Sequence, residues 1–369
     1  MKVKCKTISP LFIGCGEEYS QLDYFIENDT AYIIDLEKAI SELNDLKKVD
    51  EISRLIISNT TNNRLNLNAK DILESIGLNA EDYVVKKIKC EIKSDSKTRV
   101  KRFIYQNNNY YVPGSSIKGA IRTAYIFNYF DRNFTELIKI LKDVKISDKG
   151  KEVVNRAISK NIHDDFFKYL LISDSDFVDE DFRFITTKRW KFANRRLGVK
   201  VDAEVMMNKN EFEVDIKIND EFFEKMKIKL NKPNNDIEKF EKLKDLCNEF
   251  SKTVVEFELK RNNPVHVEKF YEKLLADIRK GDALYLNLGF GGGFLSKTVY
   301  PLIWKHDKEN RMFKEIKRVF LYLAGRNTKL KNAWYRANSY LDFPTTKTFY
   351  VKDKSVIAPL GWIKMELVE

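Results

Sequence analysis

Cysteine, histidine and long apolar runs are all scarce in this sequence, and each scarcity removes a class of function. The four cysteines, Cys5, Cys15, Cys90 and Cys247, are scattered without a C-x-x-C pair. Neither a disulfide framework nor a zinc site is therefore expected. Only three histidines occur, His163, His266 and His306, and no Ser/His/Asp or Cys/His constellation can be built from them. No apolar stretch approaches the ~18–20 residues needed to span a bilayer. Met1-Lys2-Val3-Lys4-Cys5-Lys6 runs straight into a charged, alternating strand instead of a signal peptide. A cytoplasmic chain is expected, with no membrane attachment, no metal and no cofactor. Repeats and low-complexity tracts are likewise absent.

What remains is abundant. The 369 residues are 43% hydrophobic and include 25 Phe and 17 Tyr, enough for two packed cores. Lys and Arg total 66 against 55 Asp and Glu, a formal charge of +11. That excess favours an anionic partner, although lysine-rich surfaces also arise from heat adaptation.

Along the chain, Val3–Ile8 alternates as a strand and leads past Pro10 to a glycine turn at Gly14-Cys15-Gly16. Leu22–Glu27 and Ala31–Asp35 flank Asn28-Asp29 as a hairpin, and a helix follows from Leu36. The polar stretch from Leu43 to Glu81, broken at Asn59, Asn62 and Asn63, reads as a helical insertion. Strands are expected at Tyr83–Ile92, Val100–Tyr105, Tyr110–Val112 and Leu170–Phe177. Asn107-Asn108-Asn109 makes the turn into Tyr110. Phe182–Ile185 and Val199–Met207 are extended, and Met207–Ile218 folds as a hairpin about Asn208-Lys209-Asn210. Helices at Ile237–Phe250 and Val267–Lys280 precede a strand at Ala283–Leu288, and strands near Thr348–Val351 and Trp362–Val368 close the chain. This order predicts an α+β fold of two ferredoxin-like (RRM-like) domains, with antiparallel sheets, helices on one face and insertions. The expected division is 1–185 and 186–369, the second carrying a glycine-rich loop.

Two glycine-bearing elements carry the chemistry. In Pro113–Arg122, Gly114 permits a tight turn and Ser115 or Ser116 can cap the helix that follows. Free N–H groups and the positive dipole end would then face an anion. Ile117, Ala120, Ile121 and Ala124 form the buried stripe. Lys118 and Arg122 are about 6 Å apart along the axis, a spacing that suits neighbouring phosphates. Gly119 in the first turn costs roughly 1 kcal/mol against Ala, which implies a close-packed neighbour. An ordinary capped helix with solvated cations fits the same residues.

The second element is Gly289-Phe290-Gly291-Gly292-Gly293-Phe294-Leu295-Ser296-Lys297-Thr298. Its glycines let a backbone or base approach, Phe290 and Phe294 offer stacking faces, and Lys297 a phosphate contact. A nucleotide-binding P-loop is one residue away, because Ser296 stands where its last glycine belongs. Pro301 argues against the helix that a P-loop needs, and a purely structural glycine turn stays open. The run Lys188–Arg196 interleaves five cations with Trp190 and Phe192, which suits a single-strand track with Arg189 extending it. A solvated hairpin or a subunit contact fits that run too. Asp174 and Asp176 share one face of an extended segment and could hold a divalent cation, although turn-capping is the commoner use.

Ser9–Tyr19 with Leu22-Asp23-Tyr24, Val112–Arg122, Leu288–Thr298 and Leu360-Gly361-Trp362 together resemble the fifth-subunit family of the type III-A (Csm) CRISPR effector complex, one of the RAMP families. Pro113–Arg122 is the most specific part. The resemblance implies two fused RRM-like domains in a non-catalytic subunit that caps the 3′ region of the guide RNA and supports its maturation. It implies as partners the guide RNA, a neighbouring RAMP backbone subunit, the small helical subunit and a 3′-end-trimming nuclease. The RNA-binding residues expected are Gly114, Ser115, Ser116, Lys118, Arg122, Arg189, Gly289, Phe290, Gly291, Gly292, Gly293 and Lys297, with no catalytic residue. Similar proteins carry His where this chain has Phe12, so no acid–base role is carried onto that turn. The alternative is a RAMP-fold endoribonuclease acting on guide precursors through His163 or the Asp174/Asp176 pair.

Overall fold

A computed structural model describes residues 1–43, 46–61, 64–65, 67–92, 99–107, 109–143, 145–178 and 181–368. Asn62, Asn63 and Asn108 lie outside the described residues. The fold is α+β, built on two sheets with an arrangement consistent with two ferredoxin-like units.

The first sheet is antiparallel, in the order Leu170–Ile172, Glu211–Ile218, Lys2–Thr7, Trp362–Leu367, Leu284–Asn287. Strand Lys2–Thr7 alternates, so Val3, Cys5 and Thr7 face the core while its lysines face out. Helices Gly114–Arg132, Asp236–Leu259 and Val265–Lys280 pack together behind this sheet. The middle of Asp236–Leu259 is tied to the edge strand through side chains. Asn248 Nδ2 donates to Ala283 O at 2.8 Å, its Oδ1 accepts from Tyr285 N at 2.9 Å, and Ser251 Oγ donates to Tyr285 O at 2.7 Å. These bonds satisfy buried backbone groups of the strand that delivers the glycine loop.

The second sheet runs Gly14–Tyr19, Val100–Phe103, Arg196–Met206, Phe182–Lys191, Val84–Cys90, Thr30–Ile34, Tyr24–Glu27, with Thr346–Lys352 also pairing to Phe182–Lys191. It is mixed where wholly antiparallel sheets were expected. Arg183 and Phe184 pair parallel to Lys89 and Cys90, and Asp202 and Ala203 parallel to Val100 and Lys101. The expected boundary at 185/186 falls inside strand Phe182–Lys191, and the first sheet combines strands from both sides of it.

Three local readings are corrected. Gly14-Cys15-Gly16 opens a strand instead of a turn, with an irregular register against Val100–Phe103 and Gly16 at φ +95°. Leu170–Phe177 pairs as a strand only over Leu170–Ile172. Arg196–Met206 and Glu211–Ile218 are not hairpin partners but belong to different sheets. The link between them turns through Lys209 at φ +77°, and Asn210 N–H and O bond to Thr7. The hairpin about Asn28-Asp29 forms as read, with both residues at positive φ (46° and 57°). The insertion folds as Leu46–Ser58 and Ala69–Ser75, whose Ile52, Ile72 and Leu73 form a small separate core with Phe25 of the hairpin.

Candidate RNA interface

The long helix begins at Gly114, one or two residues before either expected cap. Pro113 is its N-cap residue, and neither Ser115 nor Ser116 makes a side-chain cap bond. The cap comes from another segment: Gly114 N–H donates to Asp174 Oδ1 at 2.8 Å. Segment 172–176 is laced against the helix start and the sheet at once. Val112 N–H donates to Ser175 Oγ at 2.9 Å, Ser175 N–H to Val112 O at 3.0 Å, and Asp215 N–H to Ser173 Oγ at 2.9 Å. Gly114 is required by this approach, because a Cβ there would lie 2.3 Å from Ser173 O. A carboxylate thus occupies the helix N-terminus expected to face a phosphate.

The open part of this element is its flank. Ser115, Lys118, Gly119 and Arg122 stand at i, i+3, i+4 and i+7 and share one helix face. Gly119 corrects the expectation of a close-packed neighbour: it is exposed, and a Cβ there would meet nothing within 4 Å. Arg122 is held, its Nη1 2.7 Å from Asp165 Oδ2 and its guanidinium over the Phe167 ring. Lys118 makes no ion pair among the described residues. Burial pushes its ammonium below the usual lysine value, Asp165 works against that, and Arg122 adds to it.

The glycine loop is packed by its own chain. A Cβ on Gly289 would lie 2.1 Å from Phe12 O, on Gly291 2.5 Å from Leu360 Cβ, and on Gly292 1.8 Å from Asn287 Oδ1. Gly289, Gly291 and Gly293 have φ of +64°, +93° and +71°. Phe290 N–H donates to Phe12 O at 2.8 Å, Leu288 N–H to Gly361 O at 2.7 Å, and Gly361 N–H to Pro10 O at 2.8 Å. Segments 9–14, 288–292 and 360–362, far apart in sequence, are therefore one knot. Both expected stacking faces are used internally, Phe290 edge-on to Phe12 and Phe294 against Tyr300 and Phe343. Gly293 and Lys297 are exposed. A helix does follow Thr298, Tyr300–His306, because proline is tolerated in a first turn. What departs from a P-loop is the glycine backbone, pressed against protein where a phosphate would sit.

The Leu295–Lys297 turn touches the long helix, so the two glycine-bearing elements meet. Arg189 lies elsewhere, exposed on the long hairpin formed by Phe182–Lys191 and Arg196–Met206. The tip of that hairpin is docked: Trp190 Nε1 donates to Asn262 O at 2.9 Å, Arg195 Nη2 to Asn262 Oδ1 at 3.0 Å, and Phe192 is buried beneath Arg261. The Asp174/Asp176 pair is separately engaged, since Asp176 Oδ1 accepts from Glu213 N at 3.1 Å while Asp174 caps the helix. No group of three His, Cys, Asp or Glu placed to hold a metal occurs among the described residues. His306 Nε2 lies 2.7 Å from Asp131 Oδ1 and stacks on Phe134. His163 and His266 are exposed. No helix among the described residues is long and apolar enough to cross a membrane.

The sequence reading assigned no element between Thr298 and Thr348, where three helices form, Tyr300–His306, Phe313–Leu323 and Thr328–Arg336. The signal of this segment was a run of cations, among them Lys314, Lys317, Arg318, Arg326, Lys329, Lys331 and Arg336.

Antiparallel strands backed by helices, with a glycine turn knotted to the exit of the first strand, are the framework of a RAMP protein. The chain belongs to the RAMP superfamily, whose family model matches residues 4–296. Over its whole length it is 65% identical to the CRISPR system Cms protein Csm5 of Methanocaldococcus jannaschii, covering 89% of that protein. A protein of the same name from Streptococcus thermophilus is 26% identical over 201 residues, 52% of this chain and 56% of that one. Among solved structures, a chain of the Csm–crRNA–target RNA ternary complex of a type III-A CRISPR-Cas system superposes with a TM-score of 0.72 at 20% identity, covering 99% of this chain and 100% of that one. The crystal structure of T. onnurineus Csm5 gives a TM-score of 0.64 at 20% identity, covering 98% and 99%. The resemblance to the fifth subunit of the Csm complex is borne out.

Proposed function

We propose that this chain is the non-catalytic, guide-RNA-binding subunit of a type III-A CRISPR (Csm) effector complex. In this reading it caps the 3′ region of the guide, supports guide maturation and so serves antiviral defence in the cytoplasm. The observation that carries the reading is the 65% identity to a Csm5 protein over the full chain. The likeness to a chain from a Csm–crRNA–target RNA complex supports the fold such a subunit needs. Guide RNA, a neighbouring RAMP backbone subunit, the small helical subunit and a 3′-end-trimming nuclease are the proposed partners.

The helix flank supplies the proposed contact. Ser115 offers a hydroxyl, Lys118 an unpaired cation, and Gly119 a bare patch where a sugar–phosphate chain can lie against the helix backbone. Arg122, braced by Asp165, adds field more than a mobile contact. Exposed Lys297 continues the surface on the adjoining turn, while Arg189, on the long hairpin, would meet the RNA apart from this flank. Gly114, Ser116, Gly289, Phe290, Gly291 and Gly292 shape this surface from beneath, and Gly293 lies open beside Lys297.

Titration of fluorescent single-stranded guide RNA tests the site. Lys118→Ala is expected to weaken binding and to lower the salt slope by about 0.7, the value of one phosphate contact on a single strand. Unchanged affinity and slope overturn the helix flank as the contact. Incubation with labelled guide precursor, with and without Mg²⁺, tests the absence of catalysis. Cleavage that disappears in His163→Ala or Asp174→Asn would establish the endoribonuclease instead.

A further inference from the structure

We propose that the groove between the tip of the long hairpin and the helix Thr328–Arg336 is a second single-stranded RNA site, separate from the helix flank. The proposal rests on the RNA-binding reading above. The groove encloses about 790 Å³ and shares no residue with the flank. Its walls come from three places: the hairpin tip, residues 260–262 after the helix Asp236–Leu259, and residues 329–346.

Charge identifies the occupant. Lys191, Lys260, Lys329 and Arg336 line the groove and are exposed, and none makes an ion pair among the described residues. Elsewhere many of the surface cations are paired, as Lys4 and Lys6 are with Glu211. The groove's one carboxylate, Asp342, is engaged: its Oδ2 accepts from Asn338 N at 2.8 Å and Ser339 N at 2.9 Å. Four free cations therefore converge on a concave surface with no mobile counter-charge, which focuses a positive potential into it.

The walls are fixed before any ligand arrives. Arg261, 8% exposed, donates through Nε to Leu341 O at 3.2 Å and through Nη2 to Pro344 O, joining two walls beneath the groove. Asn262 holds the hairpin through Trp190 and Arg195. Below lies a buried ion pair, Lys347 Nζ to Glu258 Oε1 at 2.6 Å, with both side chains at most 3% exposed. A preset groove loses little ordering entropy on binding.

The remaining lining favours nucleic acid over an acidic protein. Asn194, Asn332 and Asn338 contribute amides, which both donate and accept and so match base edges as well as phosphates. An acidic peptide also pairs with such amides through its backbone and carboxylates, but it lacks the planar donor–acceptor edge that a base presents.

The test uses the full chain and fluorescein-labelled oligo(U), titrated by anisotropy from about 50 mM salt upward. Converting Lys191, Lys260, Lys329 and Arg336 together to Gln should weaken binding roughly tenfold or more. The salt slope should fall by about 2–3, at about 0.7 per phosphate contact. A charge-matched control, Lys225, Lys227, Lys229 and Lys232 to Gln, should stay within about twofold of the parent. Circular dichroism checks that both variants fold. Equal losses in the two variants would mean diffuse charge and overturn the groove. An unaltered groove variant beside a weakened Lys118→Ala variant overturns the groove and leaves the proposed function standing. No binding by the parent chain overturns both. A poly-glutamate peptide that binds the parent as tightly as the RNA, and is lost in the groove variant, would assign the groove to an acidic protein.

Discussion

The two glycine-bearing elements use the same residue for opposite purposes. In the loop 289–293, the volume a side chain would fill at Gly289, Gly291 and Gly292 is already taken by Phe12, Leu360 and Asn287. In the helix start, Gly114 is filled the same way by the backbone of segment 172–173, yet five residues on Gly119 faces nothing. A glycine cluster is therefore no evidence of a ligand by itself. The informative glycine is the one whose conformational cost the protein's own packing does not account for.

Substitution at these positions tests that contrast, beginning with the largest effect. Gly289→Ala must both strain a left-handed backbone and displace the Phe12 carbonyl. We expect a loss of about 3 kcal/mol or more in urea unfolding, combining overpacking with the left-handed penalty. A parental midpoint would show that the knot is loose. Gly114→Ala forces the Ile172 and Ser173 carbonyls apart and should cost about 1–3 kcal/mol. Asp174→Ala removes the distant cap and should cost about 0.5–2 kcal/mol, whereas Asp174→Asn should recover most of that loss. Neither serine at 115 or 116 should show such an effect.

Gly119→Ala is the sharpest comparison because it should move two quantities in opposite directions. The added methyl meets no protein atom, so the helix should gain up to about 1 kcal/mol. Affinity for guide RNA should fall, because the methyl occupies the bare patch. Greater stability with unchanged affinity would return Gly119 to an idle surface position.

The smallest expected effect concerns the first sheet, which delivers the glycine loop and packs against the long helix. Hydrogen bonds from Lys4 and Lys6 hold the Glu211 carboxyl down at about 2, against an ordinary 4.5. A carboxyl lowered on folding contributes stability above its ordinary value and loses it as pH falls toward the folded one. Acid titration of stability should therefore decline between about pH 4.5 and 2, and Glu211→Gln should flatten that limb. Both curves should coincide at the acid end.

Local patterns were legible wherever they controlled their own structure. Alternation over Lys2–Thr7, the Asn28-Asp29 turn and the stripe Ile117, Ile121 and Ala124 all act over a few residues and form as read, with Ala120 only partly buried. The cap was misplaced because its donor group and its acceptor are sixty residues apart, and serine at 115 is an equally good local candidate. The linker at Asn208-Lys209-Asn210 carries a hairpin signature, but Thr7 takes its backbone bonds and the strands part to separate sheets. Pro301 was read as a helix breaker, though as a first-turn residue it starts one. The cations of the last helices drew no notice, since a charge run acquires meaning only once a concave surface gathers it.

By itself, the sequence determined the class of fold and the family, because periodicity, turn chemistry and motif identity are properties of neighbouring residues. Tertiary structure alone decided what each glycine is for, which cations are already paired, and which stand free around a common groove. Those are questions of occupied volume and of distance between groups remote in the chain, and close packing settles them only when all the segments have met.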